Sequence, residues 1–482
     1  MRAKVAEKTN TAKRPILENT KPATLLRQLG IVSATALVIS NMIGTGIFTT
    51  TGFLAGDLGS PKVVLGIWIA GALFALAGAF CYSELGINFP SSGGEYVYLT
   101  RAYGPTWGFV TGWVSFFAGF SAPIAAAALA FSDYLGYFFP ALKQSQTAVT
   151  LGHGTFSLKL GGAQIAASGL IVVLTLVNFI GMSRVAKIQN LLTAAKLAVL
   201  FAFIGLGLLA GTGNWDHFSM PAVRTSTVPV AQQFAISLFW IFVCYSGWNA
   251  ATYVAEELKR PERTLPVALA CGTGLVAALY LALNIVFIYA APLESMKGVI
   301  AIGSFAATNM FGPETAGAFS ALMALSLVAT VNAMVTIGPR VYYAMAKNRA
   351  FFQWAARIHP KWRTPVAAIV CQGVCSVLMS LTPFPSLVVY IGFTLTATAV
   401  LSVASLFIFR RRPNWQRVRV VSFAWPLAPV AFILVGLWTI VVGAALQPKI
   451  SAAAVLTIAT GAAVYHFWLR HKFDAVPRHG GE

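Results

Sequence analysis

Residues 37–53 read Leu-Val-Ile-Ser-Asn-Met-Ile-Gly-Thr-Gly-Ile-Phe-Thr-Thr-Thr-Gly-Phe. The stretch belongs to an apolar run long enough to cross a bilayer. Its centre, Gly44-Thr45-Gly46, is the composition that unwinds a helix, since Gly costs roughly 1 kcal/mol relative to Ala in a helix interior. Lipid offers bare backbone groups no partner, so unwound backbone at membrane depth must be buried in protein or line a cavity. A broken span is therefore a candidate binding site. The alternative is that Gly-x-Gly only lets a neighbouring helix approach.

The rest of the chain supports a membrane setting. Of 482 residues, 57% are hydrophobic and 10% charged, against about 25% charged in a soluble domain. Candidate spans, numbered one to twelve, are 31–57, 63–89, 105–139, 163–181, 187–211, 229–255, 266–290, 315–346, 365–382, 387–409, 422–446 and 450–469. Each supplies the ~20 residues that a crossing needs, the fourth and ninth being near the short end. Of the 34 Lys and Arg residues, 27 fall in the tails and in alternate loops, six in the opposite loops, and Lys196 inside span five. The positive-inside rule then places both termini in the cytoplasm. With that distribution the net charge of +20 reads as membrane orientation, with the lipid bilayer and not nucleic acid as the partner.

Span six carries a second break. Phe234 to Leu258 is apolar except where Ser246-Gly247 and Asn249 interrupt it. Gly46 and Gly247 lie 201 positions apart, each in the first span of a five-span block. Five is odd, so the second block enters the membrane from the opposite face, which defines an inverted repeat. The expected organisation is a cytoplasmic tail (1–28), repeat one (29–211), repeat two (229–412), spans eleven and twelve (420–470) and a second cytoplasmic tail (471–482). The 1–28 tail is expected to be disordered. The fold class is an all-α membrane protein with twelve transmembrane helices, discontinuous in the first and sixth.

Two breaks in opposed helices set unpaired N–H groups beside unpaired C=O groups. Helix N-termini favour anions and C-termini favour cations. An α-amino acid zwitterion carries both charges on neighbouring atoms. Its carboxylate is expected on the N–H groups of Thr45, Gly46 and Ile47. Its ammonium is expected against carbonyls near Ile43, Val243, Cys244 and Ser246, with Gly44 completing the cradle. Neither break contains Asp, Glu, Lys or Arg, which argues against polyamines and strongly cationic substrates and for neutral ones. A charge at a helix centre costs roughly 2.5–3.5 kcal/mol, so Lys196 is expected to serve function, its ammonium against the first break in a place that an alkali cation could hold. Whether it pins structure or carries a proton stays open. Glu84, Glu256 and Glu257 are read as solvated helix-end carboxylates, with a charge-paired inner gate as the alternative.

Other features are plainer. Pro61 is expected to open span two. The polar segment 89–96 should end it. Thr264 is expected to cap span seven, with Pro266 in its first turn. Residues 141–162 are expected to form a polar outer loop, and the loop 291–312 a short interfacial helix. The five Cys residues lie in spans and imply no disulfide framework. No metal-ligand spacing, phosphate loop or paired nucleophile and base is found, so neither a cofactor nor an enzymatic activity is expected.

Several segments together resemble the amino acid–polyamine–organocation superfamily, and within it the L-type amino acid transporter family. They are I-G-T-G-I-F (43–48), G-S-P (59–61), A-F-C-Y-S-E-L-G (79–86), S-G-G-E-Y-V-Y-L (92–99), Y-S-G-W-N (245–249), V-A-E-E-L-K-R-P-E-R-T-L-P (254–266), V-N-A-M (331–334) and H-P-K-W-R-T-P (359–365). The resemblance covers roughly residues 27–412. It implies the LeuT-like five-plus-five inverted-repeat fold and sodium-independent amino acid transport by alternating access. It also implies a substrate-side role for Asn249 and, for Lys196, the place of a sodium site in related transporters. The family's gating aromatic is replaced by Val243, with Phe242 beside it. Asn41 stands where the family commonly has a small residue. No Cys lies in 140–163, so no disulfide-linked heavy chain is expected. The implied protein is an exchanger of the cytoplasmic (inner) membrane, a monomer or weak dimer. Proton symport through Lys196 is the alternative, and a non-transporting sensor or channel of the same fold is the rival.

Overall fold

The computed structural model of the chain describes residues 25–151, 158–299, 302–446 and 448–469. Most of the predicted 1–28 tail and all of the 471–482 tail lie outside them. Among the described residues, nine helices are long and apolar enough to cross a membrane, and three shorter apolar helices are Ile31–Met42, Gly162–Val177 and Val366–Met379. The last two match the spans expected to be short. The first is short because span one is broken.

Both interruptions are present. Span one is helical over Ile31–Met42, leaves the helix at Ile43 (φ −75°, ψ 92°), makes a 3-10 turn over Gly46–Phe48 and resumes as Thr50–Leu58. Span six is helical over Val230–Tyr245, turns at Ser246 (ψ 148°) and Gly247 (φ +98°), and continues as a 3-10 helix Ala250–Glu257. Only Gly adopts that φ without penalty. The broken helices pack against long straight ones. Pro61–Asn88, with Pro61 in its first turn, and Pro261–Ala290 flank them. Span three runs unbroken over Pro105–Leu135 through a π-helical stretch, Ser115–Ser121. Asn332, from the V-N-A-M segment, donates to Gln189 (2.6 Å) and accepts from Asn178 (3.0 Å), tying spans eight, five and four. Such buried amides are stable only because each finds a partner.

Several expectations are corrected. Span seven starts at Pro261, not near Pro266. Arg260 is its N-cap residue and Thr264 lies inside the helix, its hydroxyl donating to the Lys259 carbonyl. The first-turn position suits Pro261 because the N–H it lacks would have no acceptor there. The outer loop 141–162 contains an antiparallel pair, Thr147–Leu151 with Leu158–Gly161. The loop 291–312 holds two short helices, Leu293–Met296 and Ile302–Phe311. The end of the N-terminal tail is pinned: the Gln28 and Leu29 amides donate to the Glu257 carbonyl, and Lys259 N–H returns to Leu29 (2.8 Å).

Glu84 and Glu257 are not solvated. Glu84 is fully buried and accepts a two-pronged contact from Arg410, 2.7 Å on each arm, together with Trp415 and the Val418 amide. Glu257 is buried against Arg340 at 2.8 Å, each about 1% exposed. Only Glu256 fits the solvated reading, paired with an exposed Lys347 at 3.1 Å. The partners come from spans eight and ten, far off in the chain, and a carboxylate is buried only when such a partner is supplied.

Candidate functional site

The two breaks meet directly. A Cβ on Gly46 would lie 2.6 Å from Cys244 Sγ and 3.2 Å from its Cα. A Cβ on Gly247 would lie 2.8–2.9 Å from the backbone and Cβ of Asn41. Gly46 is thus a close-approach glycine as well as part of the break, so both sequence readings of that position hold. Gly44 differs, because its nearest such neighbour is Thr330 Cγ2 at 3.9 Å.

Beside this junction lies a cavity of about 160 Å³. Gly44, Thr45 and Gly46 line one side, and Val243, Cys244 and Ser246 another. Spans three, eight and ten close it with Ala126 and Ala127, Met334, and Val388 and Ile391. Ile43 and Ile47 are buried behind this wall. Among the described residues, the N–H groups of Thr45, Gly46 and Ile47 have no hydrogen-bond partner, while those of Phe48 and Thr49 close the 3-10 turn. Unpaired donors at a helix start form an anion-binding feature.

The carbonyls are less free than the sequence suggests. Ile43 C=O accepts from Lys196 Nζ (2.8 Å) and Thr330 Oγ1 (2.7 Å). Val243 C=O accepts from the amide (3.1 Å) and hydroxyl (2.7 Å) of Ser246. Each has used both lone pairs. Cys244 C=O takes one bond, from Tyr280 at 3.2 Å, and Ser246 C=O takes none among the described residues. The available acceptors are therefore Cys244 and Ser246. Lys196 stands where the sequence placed it: 2% exposed, with its ammonium between the first break and Thr330 (2.7 Å).

Asn249 is not part of this cavity. It lines a second cavity of about 70 Å³, adjoining the first at Asn41, Pro123, Ser246 and Met334. Phe242 also faces that space, its ring stacked on Phe74 at 3.9 Å, whereas Val243 faces the larger one.

The smaller cavity contains a residue that the sequence reading missed. Glu95 lines it, 3% exposed, accepting from Tyr82 (3.0 Å), Asn249 Nδ2 (2.7 Å) and the Tyr253 hydroxyl. Burial raises its carboxyl above the ordinary carboxylate range, and the donors oppose that. The premise that no acidic side chain attends either break is thereby overturned. Glu95 lies outside both breaks in sequence and reaches the second through Gly93 (φ +121°) and Gly94 (φ +50°), where a Cβ on Gly94 would lie 2.5 Å from the Tyr253 ring. Those paired glycines before an acid were the available signal.

Comparison with known proteins agrees with this geometry. The profile of the amino acid permease family matches residues 29–463. The chain is 28% identical over 417 residues to the serine/threonine exchanger SteT of Bacillus subtilis (85% of this chain, 89% of that protein). It is 27% identical over 456 residues to the human Asc-type amino acid transporter 1 (92% and 83%). It is 28% identical over 500 residues to the mouse large neutral amino acids transporter small subunit 2 (97% and 88%). With both breaks lining one cavity, and with that match over most of its length, the chain belongs to the amino acid permease family of the amino acid–polyamine–organocation superfamily, as a multi-pass membrane transporter similar to the L-type amino acid transporters.

Proposed function

We propose that the protein exchanges neutral L-amino acids across the cytoplasmic membrane by alternating access, without sodium. The proposed frame is twelve spans in a five-plus-five inverted repeat, with both termini cytoplasmic. The substrate carboxylate binds the N–H groups of Thr45, Gly46 and Ile47, and the ammonium binds the carbonyls of Ser246 and Cys244. The observation that carries this reading is the absence of partners, among the described residues, for those three N–H groups, in a break that lines the same cavity as Ser246. Buried backbone groups are almost always paired, and a zwitterion would pair both sets at once. Ala126, Ala127, Val243, Met334 and Ile391 give the cavity an apolar wall. That wall, and not a lack of acidic residues, is what supports a neutral side chain.

Lys196 occupies the Ile43 carbonyl and takes the place of an alkali cation. A second reading, proton symport through Lys196, draws on the same contact, because moving the lysine proton would release the first break. No disulfide-linked heavy chain is required, since the 140–163 loop has no Cys. Proteoliposomes decide among these. Uptake of a labelled neutral amino acid that requires unlabelled amino acid inside and ignores a pH gradient supports exchange. Uptake driven by a proton gradient and lost in Lys196→Ala supports symport. Absence of saturable, stereoselective uptake leaves a sensor or channel.

A further inference from the structure

We propose that Glu95 is a proton-binding site linked to transport, holding the inner half of span six more tightly while ionised than when protonated. The inference rests on the transporter reading but not on the substrate cradle. Its basis is the arrangement around the carboxylate. Tyr82 reaches it from span two at 3.0 Å, Asn249 from span six at 2.7 Å, and the Tyr253 hydroxyl from the same half-helix. Asn249 Nδ2 also contacts the Tyr253 hydroxyl at 3.0 Å. Tyr98 stands on the same short helix, Phe120 of span three packs edge-on to Tyr253 at 5.2 Å, and Thr396 and Ala399 of span ten face the cavity. Among the described residues no Lys, Arg or His nitrogen lies within 4.0 Å of the carboxylate, in contrast with Glu84, Glu256, Glu257 and Glu294. An ion held by neutral donors alone gains a neutral state at little cost, whereas one facing a guanidinium does not.

The adjoining space suits a small ligand. A cavity of about 70 Å³ exceeds the roughly 10–15 Å³ needed to hold a water. It shares Ser246 as a wall with the substrate cavity. In the binding step a hydronium ion gives its proton to a Glu95 oxygen and leaves as water. Where the new O–H forms on the lone pair that had accepted from Tyr253, the Tyr253 hydroxyl turns from donor to acceptor and the bond loses its ionic partner. Because Asn249 and Tyr253 both sit on the segment Asn249–Glu257, protonation turns charge-assisted bonds into weaker neutral ones and loosens the tie between that segment and the helix Glu95–Tyr103.

The test is exchange in proteoliposomes at equal internal and external pH, from about pH 5 to about pH 8. The probe is whichever of the twenty amino acids raises the melting temperature of the purified protein most. Wild-type exchange is expected to speed up on acidification. Glu95→Gln, which cannot ionise, should keep its melting shift with that amino acid and exchange at the acid-side rate, independent of pH. Tyr253→Phe removes a donor to the ionised form, so its midpoint should move upward by about one to two pH units. A flat wild-type profile overturns the proposal. So does a wild-type profile retained in Glu95→Gln, or one lost only in Lys196→Ala. If Glu95→Gln does not fold, an unmoved midpoint in Tyr253→Phe overturns it. A protein that no amino acid stabilises, and that takes none up, refutes the transporter reading itself.

Discussion

The two glycines of Gly44-Thr45-Gly46 have the same composition but should respond very differently to a single added methyl group. In Gly46→Ala the new Cβ meets Cys244 Sγ at 2.6 Å and Cys244 Cα at 3.2 Å. The sulfur is tied to Thr50 Oγ1 at 3.1 Å and the Cα is backbone, so neither yields freely. Forcing a methyl group into such a contact costs about 1–3 kcal/mol. The strain exists only while the two breaks are in contact. It should therefore deplete the cradle-forming state, and weaken substrate binding, by about 5- to 150-fold. In Gly44→Ala the nearest atom is Thr330 Cγ2 at 3.9 Å, ordinary van der Waals contact, and the effect should stay below about threefold, within the few tenths of a kcal/mol typical of an unstrained substitution. Cys244→Ala removes the sulfur and should recover part of the Gly46→Ala loss, leaving the 3.2 Å contacts. The assay is substrate affinity from thermal-shift titration together with counterflow in proteoliposomes. Equal effects at Gly44 and Gly46, or wild-type affinity in Gly46→Ala, would refute the packing argument.

Three further outcomes are expected. Glu257→Gln, which leaves a buried Arg340 unpaired, should cost about 3–5 kcal/mol of stability, whereas Glu256→Gln next to it, on an exposed pair, should cost no more than about 1 kcal/mol; denaturation of the two variants in one detergent compares them. Gly247→Ala combines a φ of +98° with backbone contacts of 2.8–2.9 Å to Asn41, and transport assayed by counterflow should fall at least tenfold, one step of about 1.4 kcal/mol. Lys196→Met and Thr330→Ala each leave the Ile43 carbonyl one donor, but the double variant leaves it none. The pair should be more than additive by about 1–3 kcal/mol, and simple additivity in a double-mutant cycle would contradict the shared acceptor.

Composition and the charge pattern determined the features that depend on single residues or on local runs: a membrane protein, two broken spans and a central lysine against the first break. Local chemistry sufficed there, because unwound backbone and a mid-span charge are costly wherever they occur in lipid. Tertiary structure alone decided the features that depend on residues distant in sequence. Glu84 finds Arg410 and Glu257 finds Arg340, so two carboxylates that look like solvated helix ends are buried. Thr330, Tyr280 and Lys196 consume carbonyls that the sequence leaves open. Glu95 arrives at the second break from a linker 154 positions before Asn249. Hydrogen-bond saturation and ion pairing are properties of contacts, and no local pattern contains the other half of a contact made across the bundle.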